Sequence, residues 1–286
     1  MDSQLTQVRN VPDGLTQLLR WYADMGVDIA LDEAPHDRLA EAQASASPIA
    51  REPERVIQRE EPPRQPPASA TPPRAASTAA FAEEAEQDAR AAAASAQTLA
   101  ELREQLLRFT GCGLKTTATQ LVFGDGEAGA EIMFVGEAPG ADEDRQGAPF
   151  VGRAGQLLNK MLASIGLERS QVYIANIVPW RPPGNRTPTP IETAACLPFI
   201  QRQIELVGPK ILVCLGAPSA QTLLGSKDGI MRLRGRWFNY AAGNATIKAI
   251  AMLHPAYLLR QPAQKKLAWQ DLRLLAREIV RLRAQI

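Results

Sequence analysis

The chain has 286 residues, 45% apolar and 22% charged, which suits one sizeable folded domain with additional segments. No apolar run approaches the roughly 18 residues of a membrane-crossing helix, Met1-Asp2-Ser3-Gln4 lacks the basic start of a secretory signal, and the three cysteines are too few for a disulfide framework; a reducing cytoplasm without membrane attachment is therefore expected. The net charge of +1 is unevenly divided: residues 151–286 carry 19 Lys/Arg against 6 Asp/Glu, leaving 13 against 25 for residues 1–150, so the second half suits a polyanionic partner, with solvation of surface helices as the plainer alternative.

Leu15, Leu18, Leu19, Tyr22 and Met25 recur at helical spacing after a capping Asp13, and predict a short amphipathic helix within residues 1–33. Residues 34–78 are dominated by Pro, Ala, Ser, Glu and Arg; they cannot bury enough apolar surface to offset ordering entropy and are expected to be a disordered linker. Residues 79–108 are rich in Ala, Glu, Gln and Leu and predict a helix leading into a domain over 109–286. In that domain, apolar runs predict strands near 131–136, 171–178, 210–215 and 246–253. Helical patterns are expected at 153–165, 190–207, 217–224 and 264–284. Strands alternating with helices imply βαβ units, a mainly parallel sheet and an α/β/α sandwich. Right-handed crossovers then bring the loops after the strands at 131–136, 171–178 and 246–253 to one sheet edge.

Two of those strand ends carry chemistry. Gly136-Glu137-Ala138-Pro139-Gly140 follows the first apolar run, and His254-Pro255-Ala256 follows the last. The carboxyl edge of an open α/β sheet is where such folds bind ligands, so a carboxylate and a histidine are expected to meet there. No G-x-G-x-x-G follows a strand and there is no P-loop, which removes the usual support for a nucleotide cofactor. The other histidine, His36, lies in the linker and is given no role.

Four blocks in order resemble the family 4 uracil-DNA glycosylases. They are Gly136–Gly140 with Asp142-Glu143-Asp144 and Gly147-Ala148-Pro149-Phe150-Val151-Gly152; Tyr173-Ile174-Ala175-Asn176; Arg181-Pro182-Pro183-Gly184-Asn185-Arg186; and His254-Pro255-Ala256-Tyr257-Leu258-Leu259-Arg260. The resemblance runs from about Cys112 to about Leu272. It implies the three-layer fold of that family and the hydrolysis of the uracil–deoxyribose bond in single- or double-stranded DNA by a monomer, initiating base excision repair. Such chemistry requires the base to leave the stack.

The resemblance implies a role for each residue. Phe150 would stack on the extruded base, within a pocket that Gly136 and Ala138 help to form. Asn176 would present a donor and an acceptor to uracil O4 and N3–H. His254 would donate to uracil O2 as charge builds there. Glu137, Asp142 and Glu143 are the candidates for orienting water beside an oxocarbenium-like sugar, with Glu137 first and Glu143 second; Asp142 and Asp144 read as loop solvation or caps. Leu258 matches the wedge that fills the gap left by the base, with a core leucine as the alternative. Arg260, Arg181, Arg186, Arg234 and Arg236 are candidate phosphate contacts, meaningful only as a group.

The chemistry needs no metal or organic cofactor, but the resemblance also implies a [4Fe-4S] cluster on four cysteines. The corresponding positions here are Phe109, Cys112, Trp180 and Cys196, so two ligands are replaced by aromatics and the cluster is expected to be absent. Cys214, inside an apolar run, is expected to be a core residue. Two rivals stand beside the enzyme. One is a module that binds uracil or abasic DNA without turnover; the other is an interaction protein built on this fold, with a partner for the N-terminal helix.

Overall fold

The computed structural model describes residues 73–284. The helix expected within residues 1–33 and most of the linker expected over 34–78 lie outside the described residues. The first helix described, α1 (Pro73–Ser95), begins within the segment expected as linker. The single helix expected over 79–108 is two: after α1 the chain breaks, and α2 (Leu99–Arg108) starts from Thr98, whose hydroxyl accepts the Glu101 N–H. Arg202 fastens the break by donating from Nε (3.0 Å) and Nη2 (2.8 Å) to the Ala96 carbonyl.

Five strands follow: β1 (Ile132–Gly136), β2 (Tyr173–Asn176), β3 (Ile211–Leu215), β4 (Trp237–Ala242) and β5 (Ala245–Met252). Their order across the sheet is β2-β1-β3-β5-β4. β2, β1, β3 and β5 are parallel, and β4 pairs antiparallel with β5. β4 was not expected. Its signal is present in Trp237-Phe238-Asn239-Tyr240, an aromatic run ahead of Gly243-Asn244, where Gly243 takes the left-handed conformation (φ 55°) that a tight hairpin requires.

The buried strands alternate between two cores, as the period of two demands. Met133, Val135, Ala175, Leu212, Cys214, Ala249 and Ala251 face one way, against α1, α2 and α5 (Pro190–Val207). Ala89, Ala93, Leu102 and Leu106 join that core, so it reaches back beyond residue 109. Ile132, Phe134, Ile174, Val213, Leu215, Ile250 and Met252 face the other way. There they meet α4 (Arg153–Ala163), α8 (Pro255–Arg260) and α9 (Lys265–Arg283). The result is a three-layer α/β/α sandwich. Three short helices, α3 (Ala141–Gln146), α6 (Ala217–Leu224) and α7 (Ile230–Leu233), complete the chain order. Among the described residues, no helix is long and apolar enough to cross a membrane.

Candidate active site

The carboxyl ends of all four parallel strands open onto one cavity of about 620 Å³. Glu137 follows β1, Asn176 ends β2, Gly216 follows β3 and His254 lies just past β5; all four line the cavity. The first two are held in register, since Gly136 pairs with Asn176 and the ladder continues as Ile177 N–H to Gly136 O and Val178 N–H to Glu137 O (both 3.0 Å).

Gly136 itself does not line the cavity. A Cβ there would come within 2.5 Å of Asn176 Oδ1 and 2.7 Å of Phe150 Cζ. Its part is to let a carboxamide and an aromatic ring converge, not to touch a ligand. Ala138 does line the cavity. Phe150 is buried in a left-handed conformation (φ 52°), and its ring centroid lies 5.5 Å from that of His254 at 34°. For a bulky side chain that backbone is strained, and such strain collects at functional sites.

The two candidate carboxylates differ. Glu143 is fully engaged with backbone: Oε2 accepts from Gly140 N–H (3.1 Å), and Oε1 from Val151 (3.1 Å) and Gly152 (3.0 Å). It knits the two halves of the loop after β1. Glu137 keeps a buried oxygen, Oε1, with no hydrogen-bond partner. Burial raises its pKa, partly offset by the neighbouring Thr187 hydroxyl. Asn176 Oδ1 is likewise buried and unpartnered. Two orphaned buried acceptors on residues that line one cavity suit a ligand with donors, because each carries a desolvation penalty of roughly 1–3 kcal/mol when unmatched.

His254 caps α8. Its Nδ1 accepts the Ala256 N–H (3.1 Å), so the ring proton sits on Nε2. Burial, and then the charge of Arg260, push its pKa down to about 4. At neutral pH it is a neutral donor.

Several expectations change here. Leu258, expected as the wedge, is 1% exposed and packed in the core with Ile250, Met252 and Leu253. Ala256, Tyr257 and Arg260 line the cavity, and at 100° per residue Leu258 falls on the opposite face of α8. The exposed apolar neighbour is Leu259. Arg234, expected near phosphate, is half-buried and committed within the protein: Nε and Nη2 donate to the buried Asp271 carboxylate (3.0 and 2.7 Å), and Nη2 also to Leu267 O (2.6 Å). Arg186 lines the cavity but forms a two-pronged pair with Glu192 (2.8 and 2.7 Å), holding that carboxyl at about 2. Arg181 donates to Asn185 Oδ1 (2.8 Å). Arg236 lies over the Phe238 ring. Arg260 lines the cavity and makes no hydrogen bond or ion pair with the described residues. Asp144, expected as loop solvation or a cap, is buried and accepts from the Thr119 N–H (2.8 Å) and hydroxyl (2.9 Å). Asp142 pairs with Arg145.

A mostly parallel sheet in a three-layer α/β/α sandwich, with a carboxylate, a carboxamide, an aromatic ring and a neutral imidazole around one cleft at its carboxyl edge, has the architecture of an α/β enzyme. The profile of the uracil DNA glycosylase superfamily matches residues 123–273. The type-4 uracil-DNA glycosylase of Archaeoglobus fulgidus is 44% identical over 58% of this chain and 85% of its own length. That of Thermotoga maritima is 45% identical over 55% and 81%, and that of Sulfurisphaera tokodaii 42% over 61% and 81%. The chain belongs to the uracil-DNA glycosylase superfamily, among its type-4 members.

The four positions that the resemblance assigns to a cluster do not fit one. Cys112 and Cys196 are buried free thiols, and their proximity lowers the first thiol's pKa and, with burial, raises the second's. Phe109 and Trp180 are buried, and Phe109 packs edge-on to Phe199 at 5.0 Å. Among the described residues, no third Cys, His, Asp or Glu joins the pair as a ligand. Cys214 is a core thiol on β3, pushed up to about 12 by burial.

Proposed function

We propose that this chain excises uracil from DNA. The observation that carries the reading is the pair of buried, unpartnered acceptors, Glu137 Oε1 and Asn176 Oδ1, on residues that line one cavity with a neutral His254 whose ring proton is on Nε2. A uracil seated on the Phe150 ring would give its N3–H to Asn176 Oδ1 and take the amide N–H at O4. Cytosine offers an amine where O4 should be and no N3–H, so it leaves both amide groups unmatched. His254 donates to O2. As the N1–C1′ bond breaks, the electron pair passes to the ring and its charge is met by that donor in a site shielded from water. Glu137 accepts from a water that attacks C1′ and takes its proton, giving the abasic sugar and the uracil anion; the proton then passes from Glu137 to solvent, and the anion takes one up from solvent.

Hydrolysis is favoured over a binding module because Glu137, which recognition of the base does not need, lines the cavity together with His254. Arg260, free of internal partners among the described residues, suits a flanking phosphate. We further read the protein as a cytoplasmic monomer acting on single- or double-stranded DNA, with residues 1–78 outside the catalytic unit. We read it as working without the cluster, since two thiols cannot hold a cubane. The test is an oligonucleotide carrying one uracil: strand breakage after alkali is expected, with the cytosine and thymine controls intact, and its absence at stoichiometric protein overturns the reading. Anaerobically purified protein should be colourless and contain far less than one iron per chain; about four irons would refute the cluster-free reading.

A further inference from the structure

The carbonyls of Pro149 and Phe150, on either side of the strained Phe150 backbone, accept from a residue outside the cavity. The guanidinium of Arg169 donates from Nη1 to the Phe150 carbonyl (2.9 Å) and from Nη2 to the Pro149 carbonyl (2.6 Å). It is anchored in turn, donating from Nε to Asp125 Oδ2 (2.7 Å) and from Nη1 to Asn159 Oδ1 (3.2 Å). The anchor is rigid. Asp125 exchanges backbone hydrogen bonds with Ile174 of β2 (2.9 and 2.8 Å), and Asn159 lies within α4. On the other side of the same peptide, a Cβ at Gly155 would run into the Phe150 carbonyl. That peptide is thus wedged between a glycine that lets it approach and an arginine that fixes its oxygen. A lysine could not replace this fork, because one ammonium cannot point parallel donors at successive carbonyls while keeping its own anchor.

None of Arg169, Asp125 and Asn159 lines the cavity. We propose that Arg169 is a positioning residue for base recognition: braced by Asp125, it holds Phe150 at positive φ so that the ring is a preformed stacking platform before DNA arrives. The inference rests on the proposed uracil site. Preorganisation of this kind strengthens binding by removing an ordering step. The stack is present in both the ground state and the transition state, so its loss raises KM with little change in kcat.

The test is a double-mutant cycle on a single-stranded oligonucleotide carrying one uracil, with Arg169→Met, Phe150→Ala and the double variant, supported by inhibition with free uracil. Arg169→Met should raise KM and the uracil inhibition constant about tenfold, within the range of a base–aromatic stack, and leave kcat within about threefold. If Arg169 acts through Phe150, the double variant is no worse than Phe150→Ala alone. A merely structural arginine would lower the melting temperature without raising KM, or give effects that multiply with those of Phe150→Ala; either result overturns the assignment. Should Arg169→Met fail to fold, Asp125→Asn, which slackens the anchor while leaving the guanidinium in place, is judged by the same criteria. Absence of turnover by the wild-type protein would instead sink the glycosylase reading, so the two failures are separable.

Discussion

The cavity and the Phe109–Trp180 corner are joined by the loop over 181–187, and they treat their polar and aromatic groups in opposite ways. In the corner, the groups are packed away from solvent: Phe109 meets Phe199 edge to face, Trp180 is buried, and the free thiols of Cys112 and Cys196 are buried beside each other. In the cavity, two acceptors are left bare, a phenylalanine holds a left-handed backbone and a histidine is kept from its usual charge. Local rules are broken where a ligand completes the structure and kept where packing alone must hold it. Substitutions should therefore separate cleanly, the corner losing stability and the cavity losing rate.

The largest expected effect is in the corner. Trp180→Ala should cost roughly 3–5 kcal/mol of folding stability by chemical denaturation, the range for large-to-small changes in a core. His254→Ala comes next: single-turnover excision should slow by about 10²–10³, while affinity for uracil-containing DNA changes far less, as for loss of one oxyanion donor. If the melting temperature fell instead and the rate held, the contrast between the two regions would be broken.

The pH dependence sharpens it further. The pKa of Glu137 is raised by burial, so the rate should fall as pH drops through a value above the ordinary carboxylate range, and Glu137→Gln should flatten that limb. His254 titrates near 4 in the folded protein against 6.5 in the unfolded chain. The unfolded chain thus binds more protons between those values, and this contribution to stability is full above 6.5 and lost as pH falls toward 4. No break in rate near 6.5 should come from this histidine. Asn176→Asp should narrow the preference for uracil over cytosine by roughly 1–3 kcal/mol, read as the ratio of kcat/KM values. The smallest effect belongs to Cys112→Ser, a near-isosteric change that should shift stability by less than about 1.5 kcal/mol. A loss as large as that of Trp180→Ala would show that the thiol pair does more than fill space.

Much of this was legible in the chain. The apolar runs ending in Gly136, Asn176 and His254 announce a parallel sheet with a reactive edge, because strand period and turn residues are local signals. What stayed hidden depends on distant partners or on rotation about a helix axis. Leu258 and Leu259 are equivalent in composition, and only the register of α8 sends one to the core and the other to solvent. Arg234 looks like any basic surface residue until α9 folds back and sets Asp271 against it, 37 positions later in the chain. Glu143 and Glu137 differ by which backbone amides come within reach. Arg169 has no local mark at all; its importance comes from three contacts 10 to 44 positions away.

Asp125 has a consequence for how the protein guards itself. β2 is an outer strand of the sheet, with only four residues, and an uncovered outer strand is a template on which another chain can add. The backbone of Asp125 occupies that edge by exchanging hydrogen bonds with Ile174, while its side chain braces Arg169. The latch that shields the sheet border from intermolecular pairing is thus the foundation of the stacking platform. Any fluctuation that peels it away exposes the border and slackens the ring together, so resistance to self-association and readiness for an extruded base rise and fall as one property.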